Sequence, residues 1–95
     1  MKVVITRPAT QDLNSIARFI ARDNPVRARS YIERLRVKAQ SIADAPHGYE
    51  VINSAFGRTV RRRPVDDYVI FYEIHEDRIV IIRILHSARD FSELI

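Results

Sequence analysis

The spacing of apolar residues predicts two helices in the first half of the chain. The first apolar stripe has the i, i+3, i+4, i+7 spacing of one helical face and comprises Leu13, Ile16, Ala17 and Ile20. A second stripe runs from Ala28 to Ala43. Between the stripes, Asn24 is a favourable N-cap, and Pro25 suits the first helical position because its missing N–H is no loss there. So short a break predicts an antiparallel helical hairpin.

Segments rich in β-branched and aromatic residues predict four strands, one before the hairpin and three after it. Pro64 is expected to stop the second strand, and residues 44–57, which hold a proline and both glycines, are expected to form an irregular loop. The order predicts a single α+β domain over residues 1–95. It has an N-terminal strand, the two-helix hairpin and a three-stranded antiparallel meander, in one small sheet packed on the helices. The predicted strands are Lys2 to Thr6, Arg58 to Arg63, Tyr68 to Ile74 and Ile79 to Leu85.

Both faces of the predicted sheet are apolar. On the strand Tyr68 to Ile74, Tyr72 and its neighbours at even spacing face one side, while Val69 and Phe71 face the other. Two helices cover one face of a sheet, and the sequence predicts no further helix. The second face is therefore expected to expose Val69 and Phe71 unless a partner covers them, which predicts a protein partner.

Composition narrows the class of protein and of partner. Cysteine is absent, and His47 and His75 lack the spacing of metal ligands, so no disulfide, metal site or cofactor is predicted. The N-terminus turns polar too early for a signal peptide, and no apolar stretch is long enough to span a membrane, so we expect a cytoplasmic protein without a membrane partner. The net charge is +4, and all but two of the 16 basic residues are arginines. This favours a partner bearing carboxylates or phosphates, although a GC-rich genome also produces an arginine bias.

The C-terminal third carries a resemblance to a known family. The stretch VRRRPVDDYVIFYEIHEDRIVIIRILHSARDF, residues 60–91, combines a basic strand, an aromatic strand, an acidic turn and an aliphatic strand that ends in His-Ser-Ala-Arg-Asp. With the order of elements, it resembles the ParE/RelE superfamily of toxins from type II toxin–antitoxin systems. The resemblance implies a growth-inhibiting toxin of the kind that stabilises plasmids. It also implies a cognate ParD-like antitoxin in a hetero-oligomer, which touches operator DNA only through the antitoxin.

Two branches of this superfamily differ in their targets. RelE-type toxins cut messenger RNA on the ribosome with lysines, arginines and a C-terminal tyrosine, whereas ParE-type toxins poison DNA gyrase. Val69 stands where RelE-type toxins carry a catalytic arginine, no lysine follows Lys38, and no tyrosine follows Arg89. The resemblance therefore favours a gyrase inhibitor without catalytic residues. A ribosome-dependent messenger-RNA endonuclease is the alternative, and an arginine-rich nucleic-acid-binding module without toxicity is a third possibility.

Candidate site residues follow from the pattern and the resemblance. Each basic candidate also has a structural interpretation. One arginine of residues 61–63 could pair with Asp66 or Asp67, and Arg89 could pair with Asp90. Arg83 is expected to pair with Glu73 if it does not face the target, and His86 is expected to cap its strand. Tyr68 and Tyr72 are expected in the core with their hydroxyls at its rim. The target-binding candidates are Arg61, Arg63, Arg83, His86 and Arg89, and the antitoxin-binding candidates are Leu13, Ile20, Val69 and Phe71.

Overall fold

The computed structural model describes residues 1–54 and 56–95. Strand β1 (Lys2–Ile5) precedes helices α1 (Arg7–Ala21) and α2 (Pro25–Gln40). Two short 3-10 helices, Ser41–Asp44 and Pro46–Gly48, lead to four strands. These strands are β2 (Glu50–Asn53), β3 (Thr59–Val65), β4 (Tyr68–Ile74) and β5 (Arg78–His86).

Side-chain caps fix the starts of both helices. The Thr6 hydroxyl accepts a hydrogen bond from the N–H of Ala9 at the start of α1, and the Asn24 side chain accepts one from the N–H of Arg27 at the start of α2. Each cap satisfies one of the N–H groups that a helix leaves without an internal partner. The predicted hairpin is confirmed, and in the described part of the chain neither helix has the length and apolarity to cross a membrane.

The sheet has five strands in the order β1-β5-β4-β3-β2, and it is mixed. Strand β1 pairs in parallel with β5, and the other neighbours pair antiparallel. The predicted meander of β3, β4 and β5 is present, but the sheet has five strands rather than the predicted four, and β1 makes it mixed. Strand β2 lies in the stretch expected to be a loop, and β3 continues through Pro64, which loses one ladder hydrogen bond near the strand end.

The main core lies between the helical hairpin and one face of the sheet. Its largest fully buried side chain is that of Tyr72, whose hydroxyl donates a hydrogen bond to the carbonyl oxygen of Pro46 at 2.5 Å. Tyr68 is half-buried at its margin, as expected for a tyrosine with its hydroxyl at the rim. The other members include Leu13, Ile16, Tyr31, Leu35, Ile42, Ile70, Ile79, Ile81 and Ile84.

A second, smaller core covers the opposite face of the sheet. Val69 and Phe71 are 1% and 0% exposed there, so the prediction that they lie on an uncovered face is wrong. The C-terminal segment after β5 folds back over them: Ile95 is buried, and the ring of Phe91 lies 4.6 Å from that of Phe71 between centroids. Two apolar side chains of the C-terminal segment, Phe91 and Ile95, thus cover the face that a partner protein was expected to cover.

A register shift between β4 and β5 sets the direction of Arg83. Phe71 pairs with Arg83 while Tyr72 pairs with Ile81, so β5 contains one extra residue. As a result Ile81 and Ile84, three residues apart, both face the helices. Arg83 lies at this irregularity, and its side chain turns toward α1 rather than toward Glu73 on the neighbouring strand.

Candidate functional site

Arg61 and Arg63 anchor the segment that follows α2. Arg61 donates hydrogen bonds to the carbonyl oxygens of Tyr49, at 2.8 Å, and His47, at 3.2 Å. Arg63 donates to the carbonyl oxygen of Lys38 and to the Ser41 hydroxyl, and its guanidinium lies 5.0 Å from the centre of the Tyr49 ring. Both guanidinium groups therefore satisfy backbone carbonyls at and after the end of α2. Their predicted role in target binding competes with a structural role that the sequence does not reveal.

Arg83 is also engaged inside the protein. Its Nε and Nη2 donate to the two carboxylate oxygens of Asp12 on α1, at 2.8 and 2.9 Å. The predicted pair with Glu73 is wrong, because Glu73 instead contacts Arg58 at 3.1 Å and His75 at 3.2 Å. The hydrogen bonds to Asp12 raise the pKa of Arg83. Arg83 therefore links α1 to the sheet, and its hydrogen-bond donors on Nε and Nη2 are already used within the protein.

Arg89 lies outside these contacts. It is exposed beyond the end of β5, and its side chain forms no ion pair with an acid among residues 1–54 and 56–95. The neighbouring Asp90 accepts hydrogen bonds from the N–H and the hydroxyl of Ser92, which lower the pKa of its carboxyl group. The five predicted target-binding residues thus do not converge on one surface: three are held internally, and His86 and Arg89 are exposed.

His86 borders a cavity of about 590 Å³ that the sequence did not reveal as a site. The cavity lies where the end of α1, the first half of α2, the β3–β4 turn and the end of β5 meet. We call it the Tyr68 pocket. It is lined by Phe19, Ile20, Arg27, Tyr31, Arg34, Asp66, Asp67, Tyr68 and His86.

One wall of the Tyr68 pocket is a hydrogen-bonded cluster around Asp66. Its carboxylate accepts two hydrogen bonds from Arg34, at 2.9 and 3.2 Å, and one from the Tyr31 hydroxyl, at 3.1 Å. The bonds from Arg34 are the largest cause of a lowered pKa for Asp66. Burial, followed by the bond to Asp66, raises the pKa of Tyr31 to about 12. Asp66 has a φ of 54°, which aspartate tolerates better than most residues, so the tight turn and the cluster coincide.

Aromatic rings form the rest of the Tyr68 pocket. The Tyr68 ring lies 5.8 Å from Tyr31 and 5.3 Å from His86 between centroids, the latter edge to face. The Arg27 guanidinium sits 5.0 Å from the centre of the Tyr31 ring, within cation–π range. His86 accepts the N–H of Ala88 on Nδ1, so its neutral form carries the proton on Nε2. The pocket therefore presents flat apolar surfaces beside hydrogen-bond donors.

The antitoxin-binding candidates are mostly internal. Leu13, like Val69 and Phe71, is buried in a core, so these three side chains offer no exposed surface to a partner. Ile20 is half-buried and lines the Tyr68 pocket. The apolar stripe placed Leu13 on the correct face of the helix. Because that face packs against the sheet, its side chains are not accessible to a partner.

An apolar groove on the outer side of the hairpin was missed. It has a volume of about 480 Å³ and runs between α1 and α2, where small side chains keep the helices close. Arg18 and Arg29 lie at its rim together with Glu33. We call it the hairpin groove, and its apolar lining consists of Ala17, Ala21, Pro25, Ala28 and Ile32.

The net charge is concentrated on the helical hairpin. Residues 7–40 contain eight basic and three acidic side chains, whereas the rest of the chain contains eight basic and nine acidic ones. Two internal pairs, Asp12 with Arg83 and Arg34 with Asp66, join the hairpin to the sheet and leave this excess unchanged. The hairpin groove therefore lies in a strongly basic surface, which attracts acidic partners over a Debye length.

The comparisons with known proteins agree with this architecture. A family model described as the ParE toxin of the type II toxin–antitoxin system parDE matches residues 3–91. The chain belongs to the ParE toxin family. The RelE2 toxin of Caulobacter vibrioides is 32% identical over 88 residues, which cover 93% of this chain and 97% of that protein. A structure of the chromosomal ParDE toxin–antitoxin system from P. aeruginosa superposes with a TM-score of 0.74 at 17% identity, over 90% of this chain and 95% of that one.

These findings confirm the superfamily predicted from residues 60–91. The match to the P. aeruginosa structure shows that this ParE-family toxin shares its fold. The names of the relatives come from both branches of the superfamily, ParE and RelE. Family membership therefore establishes a type II toxin and leaves the choice of target to the residues.

Proposed function

We propose that this ParE-family toxin inhibits growth by binding DNA gyrase and that a cognate antitoxin neutralises it in a cytoplasmic hetero-oligomer. The observation that carries the proposal is Val69. RelE-type toxins place a catalytic arginine at this position, whereas here an apolar side chain is buried in the second core. No lysine follows Lys38 and no tyrosine follows Arg89. Of the nuclease set, Arg89 alone has a counterpart, so binding rather than phosphate cleavage is the supported action.

His86 and Arg89 are the proposed contacts to the target. Both are exposed, His86 at the end of β5 and Arg89 just beyond it, although the His86 ring also packs against the ring of Tyr68. Arg61, Arg63 and Arg83 are proposed to support the sheet and its connections to the rest of the domain, through Tyr49, Lys38 and Asp12. Loss of toxicity in variants of these three residues is therefore expected together with loss of stability.

The hairpin groove is the proposed docking site of the antitoxin. Its lining is apolar and its rim is basic, so it fits an acidic amphipathic segment of a ParD-like antitoxin. Each apolar side chain buried there contributes roughly 1.5–3 kcal/mol before the cost of ordering the segment. A second copy of the toxin would bring the same basic surface against itself, and like charges disfavour that occupant. Operator DNA is expected to be contacted only through the antitoxin.

Two assays on the same purified protein test the proposed target. Inhibition of gyrase supercoiling, with messenger RNA left intact on translating ribosomes, is the expected result. Addition of the antitoxin should restore supercoiling. Ribosome-dependent cleavage of messenger RNA with supercoiling untouched would contradict the gyrase proposal and identify a nuclease.

A messenger-RNA endonuclease is the second candidate function. It is favoured by the 32% identity to a toxin named RelE2 and by the exposed position of Arg89. This candidate requires Arg89 to act without the arginine that Val69 replaces. The cleavage assay on Arg89→Ala separates the two candidates further, because a nuclease should lose all cleavage, whereas a gyrase inhibitor has none to lose.

A further inference from the structure

Several polar groups of the Tyr68 pocket remain open. Among residues 1–54 and 56–95, no acid forms an ion pair with Arg27, and no side-chain hydrogen bond engages the Asp67 carboxylate or the Tyr68 hydroxyl. The Nδ1 of His86 accepts a hydrogen bond from the N–H of Ala88, which leaves the Nε2 side of the ring open. Asp66, by contrast, is fully engaged by Arg34 and Tyr31. The pocket thus has a rigid wall and an open set of donors with one strong acceptor.

The mixture of open groups excludes simple ligands. A cationic side chain would be repelled by Arg27 and by Arg34. A carboxylate from an acidic peptide would suit Arg27 but would leave the aromatic surfaces and the Asp67 acceptor unused. A purely apolar group would desolvate Arg27 and Asp67 without replacing their hydrogen bonds to water, which is unfavourable.

We propose that the Tyr68 pocket binds a nucleotide, with the phosphate on Arg27 and the base against the exposed ring of Phe19 and the edge of His86. Phe19 is 63% exposed, an unusual position for a phenylalanine, and it borders the pocket. Arginine binds phosphate with two donors, and aromatic side chains stack unpaired bases. Asp67 accepts a hydrogen bond from a ribose hydroxyl or from an exocyclic amine of the base.

The size and field of the pocket agree with this ligand. Its volume of about 590 Å³ lies within the roughly 300–1,000 Å³ that is usual for small-molecule sites. The hairpin that supplies Phe19 and Arg27 carries the basic excess of the protein, which draws anions toward the pocket mouth. The bonds that fix Asp66 hold the turn carrying Asp67 in place before any ligand arrives.

The Tyr68 pocket shares His86 with the proposed target contacts and is otherwise distinct from the surfaces discussed for toxicity. Val69, at the position of the nuclease arginine, faces the second core, whereas Tyr68 faces the helix side of the sheet. The hairpin groove is lined by other residues of α1 and α2. The inference therefore goes beyond the proposed function and holds whether the target is gyrase or messenger RNA.

The test is a titration of the purified 95-residue chain, in which binding is measured by calorimetry and by changes in amide chemical shifts. The probes are the four ribonucleoside 5′-monophosphates, the matching nucleosides without phosphate, and inorganic phosphate. The monophosphates should bind at least about tenfold more tightly than the nucleosides, because the nucleosides lack the phosphate that makes the charge-assisted contact. Shifts should centre on Tyr68, His86 and Arg27. Absence of binding at millimolar monophosphate overturns the proposal, as does inorganic phosphate that binds as tightly as the nucleotides.

A pair of variants on the same helix controls for general charge. Arg27→Gln should weaken monophosphate binding by roughly tenfold, whereas Arg29→Gln, two residues away in the hairpin groove, should leave it within about twofold. Equal losses in the two variants would mean that binding follows net charge alone and would overturn the site. Phe19→Ala removes an exposed ring without touching the core. It should weaken the binding of the monophosphates several-fold and leave the binding of inorganic phosphate unchanged.

Two sources of the nucleotide are distinguished by one further probe. A single-stranded oligonucleotide with a 5′-phosphate is compared with the free monophosphates. Competition between them, abolished by Arg27→Gln, indicates that the pocket takes a strand end. Binding of the monophosphates without competition indicates a free nucleotide. Growth inhibition is measured separately for Arg27→Gln, so that a failure of the pocket is not mistaken for a failure of the proposed target.

Discussion

Asp12 and Arg83 join α1 to β5 through two parallel hydrogen bonds, and the same Asp12 carboxylate accepts the backbone N–H of Ile84 at 2.9 Å. The side chains are only 11% and 21% exposed. The pair lies at the irregularity of β5, where the ladder is disturbed and a backbone N–H needs another acceptor. An aspartate from the helix thus completes the hydrogen bonding of the strand.

Removing the Asp12 carboxylate should cost the protein substantial stability. Asp12→Ala leaves the Arg83 guanidinium partly buried without its partner and the N–H of Ile84 without its acceptor, so we expect a loss of about 2–4 kcal/mol in the free energy of unfolding. Asp77→Ala is the matched control, because its contact with Arg78 is long, at 3.9 Å, and exposed. It should change stability by less than about 0.5 kcal/mol. Similar denaturant midpoints for the two variants would contradict the structural role of Asp12.

Arg63→Met should destabilise the protein more than Arg89→Met. Arg63 donates to the carbonyl oxygen of Lys38 and to the Ser41 hydroxyl at the end of α2, both in partly buried positions, so its loss should cost roughly 1–3 kcal/mol. Arg89 is exposed, so Arg89→Met should leave the unfolding midpoint near that of the parent. Toxicity measured in parallel should fall in both variants, for different reasons. A stable Arg63→Met variant without toxicity would instead favour direct contact of Arg63 with the target.

The C-terminal tail should be required for the stability of the sheet and for keeping the protein monomeric. Ile95→Ala removes a side chain that is 2% exposed, and such truncations cost about 2–4 kcal/mol in a packed core. Leu94→Ala, whose side chain is 36% exposed, is the control and should cost less than about 1 kcal/mol. Removal of residues 91–95 should expose Val69 and Phe71 and cause self-association, visible by light scattering and dye binding. A shortened chain that stays monomeric and fully stable would refute the covering role of the tail.

The Asp66 cluster should give stability that depends on pH. The pKa of Asp66 is lowered by Arg34 in the folded protein, so its contribution is present above the unfolded pKa, about 3.9, and is lost as the pH falls through the folded value. Asp66→Asn should therefore be less stable than the parent at pH 7, and the difference should shrink below about pH 4. The same substitution in an Arg34→Gln background should have a much smaller effect. An unchanged effect there would show that Arg34 is not the cause.

Filling the hairpin groove should block the antitoxin without unfolding the toxin. Ala21→Leu adds apolar volume at a partly exposed helical position, where leucine is well tolerated. We expect at least tenfold weaker antitoxin binding with an unchanged unfolding midpoint. Asn14→Leu, on an exposed part of the same helix outside the groove, is the control and should bind as the parent does. Unaltered affinity of Ala21→Leu would place the antitoxin elsewhere.

The parts of the fold that follow from local patterns were predictable. The helical stripes and the Asn24-Pro25 break indicated the hairpin, and strand β4 begins and ends at the predicted residues. Strand β2 was not predictable by the same means, because three of its four residues are exposed and it has no alternation of its own. Strand β2 exists because it pairs with β3, and a pattern of four residues cannot show which strand they will pair with.

The candidate site depended on contacts that distant residues make. Asp12 and Arg83 are 71 positions apart, and their pairing follows from a register irregularity that no propensity indicates. The Tyr68 pocket combines residues from α1, α2, a turn, β4 and β5, of which His86 and Ile20 were the sequence candidates. Charge signals failed in a similar way, since Arg61 and Arg63 look exposed in a basic strand yet bind backbone carbonyls.

The parallel pairing of β1 with β5 constrains how this protein forms during translation. Lys2 to Ile5 have as their partners Arg78 to Ile81, which the ribosome makes only after both helices and three further strands. The first strand therefore waits, unpaired, while the helical hairpin between them is already able to form from local interactions. A nascent chain at that stage carries the groove and the basic surface but not the finished sheet. The proposed docking site of the antitoxin is therefore synthesised in full before the strand that completes the sheet.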